Sequence, residues 1–100
     1  MLAVEPMTKL NAESIRGWLH ARRGWKRRSN KLTKAFEFTQ FRDSIVFVNR
    51  VATLADSHKH LPDIDVRDKM VTLSLSTEGA GGITVKDLEL AEQIDYATSF

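Results

Sequence analysis

A chain of 100 residues is the size of one modest domain, since single domains typically span about 50–250 residues. Its composition, 42% hydrophobic and 28% charged with five Gly and two Pro, excludes a disordered, collagen-like or low-complexity chain. The absence of cysteine removes a disulfide framework, a thiolate zinc site and a cysteine nucleophile together.

No apolar run approaches the roughly 18–20 residues of a membrane span, and the first ten residues lack the basic flank and apolar stretch of a secretory signal. A cytoplasmic chain without membrane contact is the expectation. Fifteen Lys and Arg against thirteen Asp and Glu leave a net charge of only +2, but that charge is segregated. Eight cations fall between Arg16 and Lys34 with no carboxylate among them, so the rest of the chain carries −6. Such a block can steer an anionic partner. Three readings stay open: a solvated helix end and edge strand kept soluble by charge; a surface of Arg22, Arg23, Lys26, Arg27 and Arg28 meeting an acidic protein; or, with Trp18 and Trp25 nearby, nucleic acid. The window holds no recognised nucleic-acid motif, which disfavours the last.

In chain order, residues 1–9 read as a flexible arm broken by Pro6, and residues 10–100 as a single domain. Asn11 suits an N-cap, and Ile15, Trp18 and Leu19 follow at helical spacing, predicting a helix over 12–22 that Gly24 ends. Trp25 to Arg28 reads as a short strand, Ser29-Asn30 as a turn, and Leu32 to Phe38 as an alternating strand with Leu32, Phe36 and Phe38 on one face. Thr39 is the expected cap of a longer helix whose apolar stripe is Phe41, Ile45, Val48, Ala52 and Ala55, widened by Phe47, Val51 and Leu54. That helix runs out at Asp56-Ser57, and Pro62 prevents its resumption. Ile64 to Thr77 turns strand-like, cleanest where Val71, Leu73 and Leu75 alternate with Thr72, Ser74 and Ser76. Gly79 to Gly82 forms a tight loop, and Thr84 with Asp87 predicts a capping box for a last helix to about Tyr96, burying Leu88, Ala91, Ile94 and Val85. The order predicts an α+β domain: a four-stranded antiparallel sheet with three helices packed on one face.

The residue types carry limited chemistry by themselves. His58-Lys59-His60, between Asp56 and Pro62-Asp63, is the only histidine cluster, and neutral imidazole serves as acid or base near neutral pH. From residue types alone a polar surface loop is the favoured reading. No spacing matches a zinc site, so no metal is expected. Gly79 to Gly82 lacks the Lys-Ser/Thr of a phosphate loop, and no context supports a Ser-His-Asp triad.

Phe36-Glu37-Phe38 leading into Phe41, Phe47 and Val51, the run from His60 to Val66, and Thr77 to Leu88 together resemble the pterin-4a-carbinolamine dehydratase family, over about residues 10–97. The resemblance implies the same α+β fold, commonly assembled into dimers or tetramers through sheet edges and helices. It also implies metal-free dehydration of a 4a-hydroxytetrahydropterin by three histidines in one pocket, one as base for a ring N–H and one as acid for the departing hydroxyl, with no cofactor of the protein's own. Carried over by position, Asp56, His60, Pro62 and Asp87 match the family pattern. Leu61 stands where the second histidine belongs, Asp68 where an aromatic belongs, and Glu78, after Ser76-Thr77, where the third histidine belongs. His58 precedes the matching position and is no obvious substitute for the missing imidazole, although side chains two apart in a loop could still converge.

These departures imply a retained fold with absent or weak activity, since losses among residues that act as a unit cost orders of magnitude in rate. The resemblance extends to degenerate members that assemble RuBisCO in α-carboxysome bacteria. The leading expectation is therefore a chaperone or assembly factor for RuBisCO, a homo-oligomer associated with the carboxysome and carbon fixation. The alternative is a dehydratase, a lyase with an altered set of His60, Glu78 and Asp87, with Asp56, His58, Pro62, Asp68, Ser76 and Thr77 as the remainder of the pocket. A third reading is a transcription-coactivator-like dimerisation partner, a role also found in the family.

Overall fold

The computed structural model describes residues 8–98. In chain order they form α1 (Ala12–His20), β1 (Lys26–Arg28), β2 (Lys31–Glu37), α2 (Phe41–His58), β3 (Asp63–Arg67), β4 (Met70–Leu75) and α3 (Val85–Tyr96). The strands pair antiparallel in the order β1-β2-β4-β3, which gives the predicted α+β architecture of three helices and a four-stranded sheet. The arm expected over residues 1–9 lies outside the described residues, apart from Thr8 and Lys9.

Both sheet hairpins close through two residues, Ser29-Asn30 and Asp68-Lys69. Ser29 and Asp68 adopt φ of 55°, the left-handed conformation that tight hairpins demand. Along β4, Val71, Leu73 and Leu75 are buried whereas Thr72 and Ser74 are half-buried, so one face of the sheet is core. Leu32 and Phe36 of β2 share that face through their pairing with Leu75 and Val71. A chain of rings crosses it, from Trp25 to Phe36 (6.1 Å between centroids), Phe36 to Phe47 (4.7 Å) and Phe47 to Phe38 (5.2 Å).

Several element boundaries differ from the sequence expectation. Helix α1 stops at His20, two residues early, with Ala21 as its cap. Trp25 is left out of β1 because its indole turns into the core. Strand β2 covers Lys31–Glu37 in place of 32–38. Gln40, not Thr39, occupies the N-cap of α2; the Thr39 hydroxyl donates to Asp43 Oδ2 at 3.4 Å. Helix α2 also continues through His58.

The stripe assigned to α2 is rotated. Ser44, Phe47, Val51 and Ala55 face the core, while Phe41 and Ile45 are 54% and 37% exposed. Helix α2 is apolar on two sides, so periodicity alone could not say which side meets the sheet. The Phe47 ring, seated between Phe36 and Phe38, decides it. In α3 the buried face is Asp87, Leu90, Ala91 and Ile94, with Leu88 and Val85 only half-buried.

Carboxylates of α3 tie the N-terminal third of the chain to the core. Trp18 Nε1 and Arg22 Nη2 both donate to Glu92 Oε2 at 2.9 Å. Trp25 Nε1 donates to Asp95 Oδ2 at 3.0 Å, and Lys34 Nζ to Asp95 Oδ1 at 2.8 Å. Arg22 and Lys34, two cations of the basic window, are therefore engaged internally.

Candidate functional site

The site begins where α2 ends. Lys59 takes φ of 51°, and the chain reverses as His60 N–H donates to the Ala55 carbonyl at 3.0 Å and Lys59 N–H to the Asp56 carbonyl at 3.2 Å. This six-to-one and five-to-two pairing is the Schellman closure of a helix, and it turns His60 inward over the last turn of α2. His60 is only 9% exposed as a result.

From the other side, β4 leads to Thr77, which forms an isolated bridge with Gly82 and donates its N–H to the Gly82 carbonyl at 2.9 Å. Gly79 and Gly81, at φ of 93° and 76°, supply the left-handed angles that let the loop return there. The chain then enters α3 through the predicted capping box of Thr84 and Asp87. Asp87 is fully buried.

These segments converge on the Asp87 carboxylate. His60 Nε2 lies 2.5 Å from Oδ1, while the Thr77 hydroxyl and the Thr84 N–H each donate to Oδ2 at 2.9 Å. Thr77 and Thr84 hydroxyls are 2.7 Å apart, and the Lys86 N–H donates to Thr84 Oγ1 at 3.2 Å. An ionised carboxylate only accepts, so the proton directions are determined: Thr84 O–H gives to Thr77, Thr77 gives to Asp87, and His60 gives from Nε2. The second ring nitrogen of His60, Nδ1, has no hydrogen-bond partner among the described residues, and in the neutral form of the ring it is an acceptor. Asp87 also sits in the first turn of α3, where the helix dipole favours negative charge.

His60 lines a cavity of about 280 Å³ with Lys59, Leu61, Ser76, Thr77, Glu78 and Lys86. A neighbouring hollow of about 480 Å³ shares Leu61, Ser76, Thr77 and Glu78 and extends to Lys31 and Asp63. Leu61 stands 76% exposed at the divide, and Glu78 is exposed on the glycine loop. The cavity thus offers one imidazole acceptor, a carboxylate, two ammonium groups and hydroxyls.

The structure therefore brings together His60, Ser76, Thr77, Glu78 and Asp87 of the residues singled out in the sequence. It leaves others apart. Asp56 is exposed on the last turn of α2, and His58 is half-buried with no side-chain hydrogen bond among the described residues. Pro62, half-buried, follows Leu61 into β3. Asp68 occupies the β3–β4 turn at the far end of β3, about 16 Å along a five-residue strand. Of the basic residues, Arg22 pairs with Glu92 and Arg27 Nε donates to the Ser29 carbonyl at 3.0 Å. Arg23, Lys26 and Arg28 are exposed and make no ion pair among the described residues. Sequence reasoning missed Lys86 as a cavity residue and Thr84 as the hydroxyl that orients Thr77. The capping box itself was the available signal, because it fixes both next to Asp87.

Residues 8–97 match the family model for pterin 4 alpha carbinolamine dehydratase. A relative in Roseiflexus castenholzii is 49% identical over 86 residues, which is 86% of this chain and 92% of the relative; one in Mycobacteroides abscessus is 46% identical over 89 residues, 89% of this chain and 95% of the relative. Both carry names that assign them provisionally to pterin-4-alpha-carbinolamine dehydratase. Among solved structures, a transcriptional coactivator/pterin dehydratase from Brucella melitensis superimposes with a TM-score of 0.88 at 22% identity, covering 92% of this chain and 100% of its own. A pterin dehydratase-like protein described as a RuBisCO assembly factor in the alpha-carboxysome gives 0.62 at 18% identity, covering 75% and 87%. At those identities the two structures speak for the fold.

Proposed function

The chain belongs to the pterin-4a-carbinolamine dehydratase family, and from that premise we propose that it works through protein contacts in place of turnover, with RuBisCO as its client. One observation carries this reading: the cavity holds a single imidazole, His60, with the aliphatic Leu61 and the carboxylate Glu78 beside it. Acid–base dehydration needs a group that takes a proton and another that gives one at the departing hydroxyl. Leu61 can do neither. The exposed Arg23, Lys26 and Arg28 suit an acidic protein surface, and the description of the alpha-carboxysome neighbour favours RuBisCO as that surface. Self-association belongs to the same reading, supported by the outward Phe41 and Ile45 of α2, 54% and 37% exposed.

A second reading, dehydratase activity at a reduced rate, is favoured by the intact His60–Asp87 pair, whose geometry leaves Nδ1 poised as a base, and by the names of the relatives. Here Glu78 would serve as the proton donor only in its protonated form, since the carboxylate accepts. Turnover of a 4a-hydroxytetrahydropterin separates the two. The leading reading expects no acceleration over the uncatalysed reaction, with RuBisCO subunits enriched on the immobilised chain. It expects the double variant Leu61→His/Glu78→His to gain turnover, because the scaffold around Asp87 is in place. Acceleration by the unmodified chain that disappears in His60→Ala would replace it with the second.

A further inference from the structure

The residues that lead into α1 are fastened to a distant part of the chain. Leu10 N–H donates to the Ile83 carbonyl at 2.8 Å, and the half-buried Leu10 side chain packs onto the core cluster that includes Ile15 of α1. One residue earlier, the aliphatic stem of Lys9 lies against Gly82. A Cβ at Gly82 would stand 2.8 Å from Lys9 Cε and 3.2 Å from its Cδ and Cγ. Gly82 is buried, whereas Gly79 and Gly81 are exposed.

The glycines of this loop therefore serve different ends. Gly79 and Gly81 take left-handed angles, and a Cβ at Gly81 would meet nothing within 4 Å. Gly82 lies outside the left-handed region, so its φ would accept a side chain. What it lacks is room, because Lys9 occupies the place.

Gly82 and Ile83 form the returning limb of the loop that walls the His60 cavity. The Gly82 carbonyl receives the Thr77 N–H at 2.9 Å, and the Ala80 N–H closes the loop on the Thr77 carbonyl at 3.2 Å. Between those limbs Glu78 lines the cavity beside Thr77 and His60. The outgoing limb is held through the Thr77 hydroxyl on Asp87, whereas the returning limb is held from outside by Lys9 and Leu10.

We propose that residues 8–10 are a strap that keeps the Thr77–Gly82 loop closed over the His60 cavity, and that lifting the strap opens the loop and bares His60 while the sheet stays folded. The N-terminal segment is then a handle through which the cavity is controlled. This device stands whether the cavity turns a ligand over or only binds one, so it goes beyond the protein-contact reading.

Amide exchange of the full, isotopically labelled chain tests it. Gly82→Ala crowds the Lys9 stem, and Leu10→Pro removes the N–H donated to Ile83. In the unaltered chain Thr77 and Ala80 should exchange about tenfold or more faster than Leu73 of the interior strand β4, because the loop opens without global unfolding. The strap is undone both in the open loop and in the unfolded chain. Weakening it should therefore speed Thr77, Ala80 and Leu73 by one common factor, about threefold in Gly82→Ala and about tenfold in Leu10→Pro. Fraying of the β1–β2 hairpin leaves the strap in place and should not change. Carbethoxylation of His60 by diethylpyrocarbonate should rise by the same factors, with His20 and His58 unaffected. If Leu10→Pro does not fold, Gly82→Ala carries the test. Constant exchange at Thr77 and Ala80 while Leu73 accelerates would mean that the loop opens with the strap in place, and overturns the proposal. Equal exchange of Thr77 and Leu73 in the unaltered chain, no change at any amide, or unchanged reactivity of His60 overturns it as well.

Discussion

Helix α3 offers its carboxylates to two different regions, and the contrast between them explains the molecule. At its first turn Asp87 is fully buried and receives His60, Thr77 and the Thr84 backbone. Two turns later Glu92 and Asp95, whose side chains remain 40% and 32% exposed, receive two indoles and two cations. Both sets fasten α3 to distant parts of the chain. The first is a desolvated network in which every donor has one acceptor to serve; the second is a rim in which water can replace any partner. In the interior an unmade hydrogen bond costs the whole desolvation of the group, whereas at the rim it costs little.

The sharpest way to break this contrast is Asp87→Ala. It leaves an imidazole, the Thr77 hydroxyl and a helix-end amide without an acceptor, and at about 1–3 kcal/mol for each buried group left unsatisfied the loss should reach several kcal/mol. For a domain whose total stability is of the order of 5–15 kcal/mol, that is a large share. Urea unfolding should show the midpoint moving strongly downward. A loss below about 1 kcal/mol would place Asp87 energetically among the rim carboxylates. Thr77→Val, which deletes one bond to the carboxylate and keeps the shape, should cost about 1–2 kcal/mol in the same experiment.

How legible these regions are in the sequence depends on how local each interaction is. The capping box is readable because Thr84 and Asp87 are three residues apart and helix geometry joins them. The family pattern also selects His60 and Asp87, which the structure sets 2.5 Å apart. The Schellman turn that aims His60 is hidden, because its left-handed residue is Lys59 and not a glycine. The pairings of Trp18 with Glu92 and Trp25 with Asp95 span 74 and 70 residues, and no periodicity reports a contact at that distance. The basic window reads as one surface for the same reason: the partners of Arg22, Lys31 and Lys34 lie on α3 and β3. Asp68 is misleading in the opposite way, since its position in the pattern suggests the pocket while its backbone closes the β3–β4 turn.

At the rim the expected effects shrink in order of exposure. Asp95→Ala removes the acceptor shared by Trp25 and by Lys34, whose ammonium also lies 4.8 Å from the Phe36 ring. The cost should be about 1–2 kcal/mol by urea unfolding, with a change in tryptophan fluorescence as the indole loses its partner. A cost equal to that of Asp87→Ala would erase the distinction between the two regions.

The smallest effects test its physical basis through salt. Arg22 and Glu92 side chains are 33% and 40% exposed, and a double-mutant cycle on them should give a coupling of about 0.5–1 kcal/mol. Lys31 and Asp63 are 49% and 72% exposed, and their coupling should fall below about 0.5 kcal/mol. In 1 M salt, where the screening length is about 3 Å, both couplings should fade toward zero. The penalty of Asp87→Ala should persist, because ions that screen exposed charges do not enter a site from which water is already excluded. A penalty that fell in parallel with the rim couplings would mean that solvent reaches the carboxylate, and burial could no longer explain why one end of α3 holds a network and the other a rim.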